Sequence, residues 1–587
     1  MSDRKRARAR KAQPHVKKMR FEDDDFEEIA RAESEELLPG PSSEKEIIAW
    51  PMDLVHRARQ AGSRFSNLVA LLQDGYLATS DYSGYDCPRE MVTQLFKALK
   101  LTNSFPTLCC PVCRFTRACD NDRLPLKVLT FLAEEVDHCE SCVNTNIENC
   151  LLDETKDKLD EMVPHKEKAK ITKPEEREIK EAYEQMMQWL IQNRHTAFKE
   201  RCASECIIHG HECPGHPRQT SDCHGALRVN WGGNECIGWS TVGKQLRYAH
   251  ASERTFAIWI VQRIIQAENQ KEDGFFQDRC ILFLSCVVQF KFDQECTRYF
   301  PTEQKMTIPL KDWFQVVWVK VCGTHLGFPS KRERRLSFNA NHLRLRWIGP
   351  TEQKDIQADF DNLFHRAIML PGDVYCAAPA DSVIGMYGQK MKQRFANLPH
   401  DQNVNVQGRG MLASVLTPGQ LQRIKAYEDE YQSEHGHPPG QDSHLIVDSM
   451  QWPHMPGDTS GTLFPSQLKH GLYYSFTARR LILGLEYMFA NGWNVFEPEG
   501  ATFSSALTPM LRKLSENQIK QLSGNGMMLP AIGAWFLYVC MNTVRVESSK
   551  IMEEHRLANL HVGKDGAESE DDVFDQKKGD RSHESSM

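Results

Sequence analysis

An α/β fold built on a largely parallel sheet is what this 587-residue sequence predicts, and three observations predict it. A strand-like run over residues 75–80 passes through a glycine turn, Asp81-Tyr-Ser-Gly-Tyr-Asp-Cys-Pro88, into a helical pattern of Val92, Leu95, Phe96 and Leu99. A second short apolar run, at 108–112, is followed by Asp120, 36 residues past Gly84, and by another helical pattern (Leu126, Leu129, Leu132, Ala133). Further on, buried-strand candidates at 280–287 and 314–321 follow an apolar helix candidate at 256–265. Alternation of this kind makes βα units, whose strand-to-helix turns face a ligand.

Apolar residues make up 40% of the chain and charged residues 26%, the balance of a soluble globular protein. No stretch approaches the roughly 20 apolar residues needed to cross a bilayer, and the charged opening segment does not read as a signal peptide. The 19 cysteines are too dilute for a disulfide scaffold and are expected as reduced thiols or ligands. A net charge of −7 gives no global attraction to nucleic acid, so such binding needs a local basic patch.

Residues 1–45 read as a disordered arm. A basic block (Arg4, Lys5, Arg6, Arg8, Arg10, Lys11) runs into an acidic block over 22–36, and charge this dense cannot offset the ordering entropy. The basic block suits a nuclear-import signal, a nucleic-acid arm or a solvated tail. The first part of the ordered domain spans 46–150. Within it 53–72 reads as one helix, Asp86 as the N-cap of the next and Pro88 as its first-turn residue. Asp120 suits a ribose hydroxyl pair, or a helix cap, and 138–149 holds a third strand. The turn lacks the full G-x-G-x-x-G, which argues against a dinucleotide. Cys110-Pro-Val-Cys113 and Cys139-Glu-Ser-Cys142, 25 residues apart, are close to a zinc-ribbon arrangement, yet they fall where strand edges are needed.

An insertion over 151–225 interrupts the pattern. Its helix over 175–197 carries Ile179, Tyr183, Met186, Met187 and Leu190 on one side, the mark of a packing helix. Beyond it Cys202, Cys206, His209, His211, Cys213, His216, Cys223 and His224 place eight potential ligands in 23 residues. Cys202, Cys206, His209 and Cys213 are the zinc candidates; a polar insertion with incidental thiols is the alternative.

The second part of the domain, 226–349, opens on Asn230-Trp-Gly-Gly-Asn-Glu-Cys-Ile-Gly-Trp-Ser240. Cys236 lies there between glycine-bearing turns, a place that suits a nucleophile. Near its end stands Leu326-Gly-Phe-Pro-Ser-Lys-Arg-Glu-Arg-Arg335, whose Arg332 and Arg334 would project to one side of an extended segment. Residues 350–470, polar and rich in Gly and Pro, read as a separate irregular lobe. Periodicity resumes over 471–561, where Leu522-Ser-Gly-Asn-Gly-Met527 opens a long apolar helix to Met541, and 562–587 reads as a disordered tail.

Taken in order, these segments resemble the motif series of cytosine-5 DNA methyltransferases over roughly 74–150 and 226–541. The resemblance implies a Rossmann-like sheet that binds S-adenosyl-L-methionine, with 350–470 as a smaller target-recognition lobe. In it Tyr82, Ser83 and Gly84 of the glycine turn, Asp120 and Asn121 after the second strand, and Asn525 of a closing Gly-Asn motif beside the first would hold the cofactor. Cys236 matches the catalytic cysteine of the family's Pro-Cys-Gln loop and Ser240 that loop's serine. Residues 327–334 match the Gly-Φ-Pro-Gln-x-Arg-x-Arg signature, with Arg332 and Arg334 as its two arginines, and 476–480 resembles the helix motif that follows. The implied reaction is methyl transfer to carbon 5 of a flipped-out cytosine in DNA, or less readily RNA, through a covalent Cys236 adduct. The basic arm suggests a nuclear protein.

Four departures from that pattern bear on turnover. Ser285-Cys286-Val287 stands where the family carries Glu-Asn-Val, and a positioned acid is worth roughly 10²- to 10⁴-fold. Glu235 replaces the proline before Cys236, and its charge should raise the thiol pKa, against a nucleophile's needs. Ser330 replaces the glutamine of the arginine signature. Asp86 replaces a glycine of the cofactor turn, to crowd the methionine moiety or to turn outward. A catalytically degenerate fold that binds nucleic acid or cofactor without turnover is therefore the second expectation, beside an active enzyme.

Overall fold

The computed structural model describes residues 37–105, 111–163, 173–216, 225–233, 252–280, 310–394, 415–453, 462–468 and 470–546. Seven strands form one sheet: β1 (Tyr76–Asp81), β2 (Cys113–Cys119), β3 (Cys142–Asn144), β4 (Leu227–Gly232), β5 (Gly274–Cys280), β6 (Phe314–Val321) and β7 (Arg334–Asn341). Their order is β3-β2-β1-β4-β5-β7-β6. The first five run parallel, and β7 lies antiparallel between β5 and β6. The result is a mixed α/β fold on a large, mostly parallel sheet. From β1 the chain winds outward to β2 and β3, then returns to β1's other side as β4. At such a reversal a crevice opens at the strands' carboxyl ends, where ligands bind in folds of this kind.

Helices bury both faces of the sheet, and β1 is buried at all of its positions. We label α1 (Trp50–Arg59), α2 (Cys87–Leu101), α3 (Lys173–Gln192), α4 (Ser252–Glu268), α5 (Glu516–Asn525) and α6 (Leu529–Met541). On one side α6 packs against α1, α2 and the helix Ser63–Leu72, and every residue of α6 is buried. The run Glu516–Met541 is long and apolar enough to cross a membrane by composition, but 89% of its most apolar window lies inside the fold. On the other side α3 packs on α4, burying Tyr183, Met186, Met187 and Leu190, as the periodicity predicts.

Several boundaries differ from the sequence expectation. Residues 38 and 40, inside the arm expected as disordered, are tied to the fold, because Ala367 donates its N–H to Leu38 O and Gly40 donates to Ala367 O, both at 2.9 Å. The helix expected over 53–72 is two helices, divided at Gly62, where φ is +61°. A strand runs over Gly274–Cys280, with Phe275 and Phe276 buried; of the strand expected over 280–287, all but Cys280 lies outside the described residues. The apolar run 522–541 divides into α5 and α6, the second started by Pro530 in its first turn.

The lobe also shifts. The helix Gln353–Phe364 packs on β6 and joins the sheet's core through Ile356, Phe360 and Phe364. A separate core gathers Tyr387, Ile424, Tyr427, Val447, Tyr474 and Leu481 and runs on to Leu483. It includes an antiparallel sheet of Ile446–Asp448, Tyr473–Ser475 and Arg480–Leu481. Residues 476–479 are therefore a turn between strands rather than the expected helix.

Candidate active site at the sheet's switch point

The floor of the crevice is a charge network. Asp81 ends β1 with 1% of its surface exposed, a position where a carboxylate needs partners. It accepts from Arg117 Nη1 of β2 (2.8 Å) and Asn230 Nδ2 of β4 (2.9 Å), and Arg263 of α4 stands 3.7 Å away. Arg117 Nε donates in turn to Asn144 Oδ1 of β3 (2.9 Å). Four neighbouring strands are thus tied at one end by side chains that sequence reasoning missed. The available signal was a charged or amide residue near the end of each apolar strand.

The glycine turn rests on this floor. Ser83 does not face outward: its N–H donates to Cys119 O (3.0 Å), and its Oγ accepts from the Cys119 N–H (3.0 Å), which locks the turn to β2. Asp86 has φ of +59°, a left-handed conformation that aspartate tolerates better than most residues. Its side chain turns inward, neither to solvent nor toward Gly84, and accepts from Arg89 Nε (2.8 Å) and Ser80 Oγ (3.2 Å). Burial pushes the Asp86 carboxyl above its ordinary range, and the Arg89 guanidinium pulls it partly back. It stands at the N-cap position of α2 but makes no side-chain cap. Beside Gly84 an added Cβ meets nothing within 4 Å among the described residues.

Asp120 joins the two loops. Its Oδ2 accepts the Gly84 N–H (2.8 Å) and its Oδ1 the Asp122 N–H (2.9 Å). The cap of the next helix is Asp122, which accepts from the Leu124 N–H (3.2 Å). Asn121 is exposed next to it.

The closing motif meets the first from the far end of the chain. Gly526 lies against Tyr85 so closely that a Cβ would overlap the phenol oxygen. The Met527 N–H donates to Cys87 Sγ (3.2 Å), and Gln521 Nε2 donates to Asp122 Oδ2 (3.1 Å). Burial pushes the Cys87 thiol up to about 12, so it packs rather than reacts. Asn525 ends α5 and is exposed. Gly233, at the exit of β4, approaches Tyr82 O and Met527 Cε, which lie 3.1 and 3.0 Å from where its Cβ would stand.

Arg332 is 1% exposed and serves the end of α5. Its Nη2 donates to Ser523 O (3.3 Å), Gly524 O (3.2 Å) and Gly526 O, where helix carbonyls attract a cation. Arg334 opens β7, is buried, and donates to Glu333 O (2.8 Å). Cys236, Ser240 and Glu235 lie outside the described residues. Of the zinc candidates, Cys206, His209 and Cys213 come together, but Cys202 does not. It is buried in the apolar cluster of α3 and α4, and Cys142 of β3 takes its place. Cys110, Cys223 and His224 lie outside the described residues.

No protein-family model and no curated protein sequence matches the chain. Solved structures do. The chain is similar to the Dnmt2 methyltransferase of S. pombe, with a TM-score of 0.30 and 10% identity over 78% of this chain and 97% of that one. A Spodoptera frugiperda DNMT2 mutant gives 0.32 and 9% over 79% and 99%. The Entamoeba histolytica methyltransferase EhMeth gives 0.33 and 10% over 79% and 98%. The fold assignment rests on the chain's own strand order and connectivity rather than on these likenesses.

Proposed function

We propose that the chain is an S-adenosylmethionine-dependent methyltransferase acting on carbon 5 of cytosine in DNA. The observation that carries this reading is the meeting of residues 82–86, Asp120, Gly233 and 524–527 at the switch point of a mostly parallel sheet. The lining suits the cofactor, since the Asp120 carboxylate stands at the carboxyl end of β2 beside the Gly84 N–H, where a ribose-binding acid sits in such folds, and among the described residues no atom crowds Gly84. S-adenosylmethionine, when bound, supplies the methyl group. In this reading Asp120 orients the ribose, with Tyr82, Ser83, Gly84, Asn121 and Asn525 around the pocket. Arg332 is a positioning residue that fixes the Gly-Asn turn, and Arg334 orders the reacting face. Cys236, which follows Gly233 by three residues in sequence, attacks carbon 6 of a base drawn out of its stack.

A second reading is a non-catalytic binder of nucleic acid or cofactor, favoured by Glu235 beside Cys236 and by serine at 285. One experiment divides the two. Incubation with tritiated S-adenosylmethionine and duplexes carrying 5-fluorocytosine is expected to give a denaturant-stable adduct that Cys236→Ser abolishes. No adduct across varied sequences, with cofactor binding intact by calorimetry, leaves the non-catalytic reading. An adduct that survives Cys236→Ser removes Cys236 as nucleophile, and adducts on fluorinated RNA alone move the substrate to RNA.

A further inference from the structure

Cys142 of β3 and Cys206, His209 and Cys213 of the insertion bring one ligand atom each within 4.8 Å of all the others. The sulfurs of Cys142, Cys206 and Cys213 stand 3.6, 3.3 and 3.5 Å from His209 Nδ1. A tetrahedral zinc ion, with Zn–S near 2.3 Å and Zn–N near 2.0–2.1 Å, has sulfur-to-nitrogen edges of about 3.6 Å. Hydrogen bonding alone does not account for this arrangement, because a neutral imidazole nitrogen has one lone pair and three sulfurs converge on it. No disulfide joins the described cysteines.

The surroundings are those of a metal site. His209 Nε2 lies 3.1 Å from Cys139 O, so it donates there and leaves Nδ1 with its lone pair inward. The Val143 N–H donates to Cys206 Sγ (3.4 Å), a bond that favours thiolate. All three cysteines are buried. The backbone is shaped to present them: Ser204–Glu205 pairs with Glu212–Cys213, and Gly210 turns the hairpin with φ of +65°.

We infer that Cys142, Cys206, His209 and Cys213 form a structural zinc site. Four protein ligands leave no open position, which separates it from a catalytic zinc. The ion staples the hairpin onto β3, the edge of the sheet, where an uncovered strand would be a liability. Asn144 extends the link, since its Nδ2 donates to Ser204 O (3.2 Å) and Glu205 O (2.6 Å) while its Oδ1 accepts from Arg117. Through Arg117 the hairpin is tied to Asp81.

The full chain, purified without chelator, is expected to carry about one zinc ion per chain by elemental analysis. Cobalt in its place is expected to show the visible ligand-field bands and thiolate charge transfer of a tetrahedral S₃N site. Cys142→Ser and Cys213→Ser are expected to lose zinc to a mild chelator roughly tenfold or more faster than the parent, while Cys202→Ser holds it. His209→Cys keeps four ligands and is expected to retain the metal even where a serine variant fails to fold. A folded chain without zinc after zinc-replete expression overturns the proposal. So does zinc held equally by Cys142→Ser and Cys213→Ser, or lost only from Cys202→Ser.

Discussion

Asp81 lies at the floor of the crevice, where β2, β4 and α4 each turn a donor toward it. Removing one partner of a buried pair costs about 3–5 kcal/mol, because the other charge is left behind. Arg117→Met is therefore expected to lower unfolding free energy by about that much in a urea titration, and Arg117→Met with Asp81→Leu by less. Glu90 of α2 makes a second, pH-dependent case. Burial pushes its carboxyl up to about 7, against a donated bond from Gln94 that pulls it down. Between the ordinary carboxylate value and about 7 the folded chain keeps a proton that the unfolded chain has lost. The contribution to stability is thus complete at acid pH and disappears as pH rises to about 7. Glu90→Gln is expected to flatten that slope, by a few kcal/mol at most, when unfolding is followed across the range. Neither group was legible in the sequence. A charged residue inside a strand or helix looks like a solvent-facing one until its neighbours from other elements are known. Asp86 shows the same limit, because the sequence displays a lost glycine but not the Arg89 that turns the carboxylate inward.

Elements set off by turn residues were legible, wet-faced or buried, and a division inside a long apolar run was not. The helix at 87–101 and the strand Phe314–Val321, with Val317, Val319 and Val321 buried and Lys320 exposed, stand where the pattern places them. In the run 522–541 the breakers Gly524-Asn-Gly526 and Pro530 mark the division at 526–528, but the apolar residues around them read as one continuous helix. That division exists because Gly526 must pass against Tyr85. Gly526→Ala is expected to force α5 away from the glycine turn, weakening S-adenosylmethionine binding in calorimetry and costing about 1–3 kcal/mol of stability. Arg332→Lys is expected to act on the same joint. A lysine cannot fork across several carbonyls, so cofactor affinity falls while the fold, read by circular dichroism, stays. The cluster of Cys142, Cys206, His209 and Cys213 was only three-quarters legible. Local spacing finds Cys206, His209 and Cys213, but the fourth member comes from a strand 67 residues before His209.

At the scale of the molecule, the α/β class followed from alternation, whereas the lobe's limits were drawn from composition and missed that 353–364 packs on the sheet. Elements near the two ends of the described residues close the fold together. Trp50 Nε1 donates to Gly492 O (2.9 Å), and Trp50 and Leu54 cover Gly533 of α6. Burying one large apolar side chain contributes about 1.5–3 kcal/mol, so losing α6 removes more than the roughly 5–15 kcal/mol that holds a domain folded. A chain ending at Leu514 is expected to show no cooperative thermal transition. The bond from Met527 N–H to Cys87 Sγ spans 440 residues of sequence. A ribosome adding 5–20 residues per second needs roughly 20–90 s to cover that distance. Throughout that interval the glycine turn is already made, yet its closing wall does not exist and the surface that α6 will cover is bare. In the proposed reading, the cofactor pocket therefore gains its closing wall only after residues 524–541 have been made.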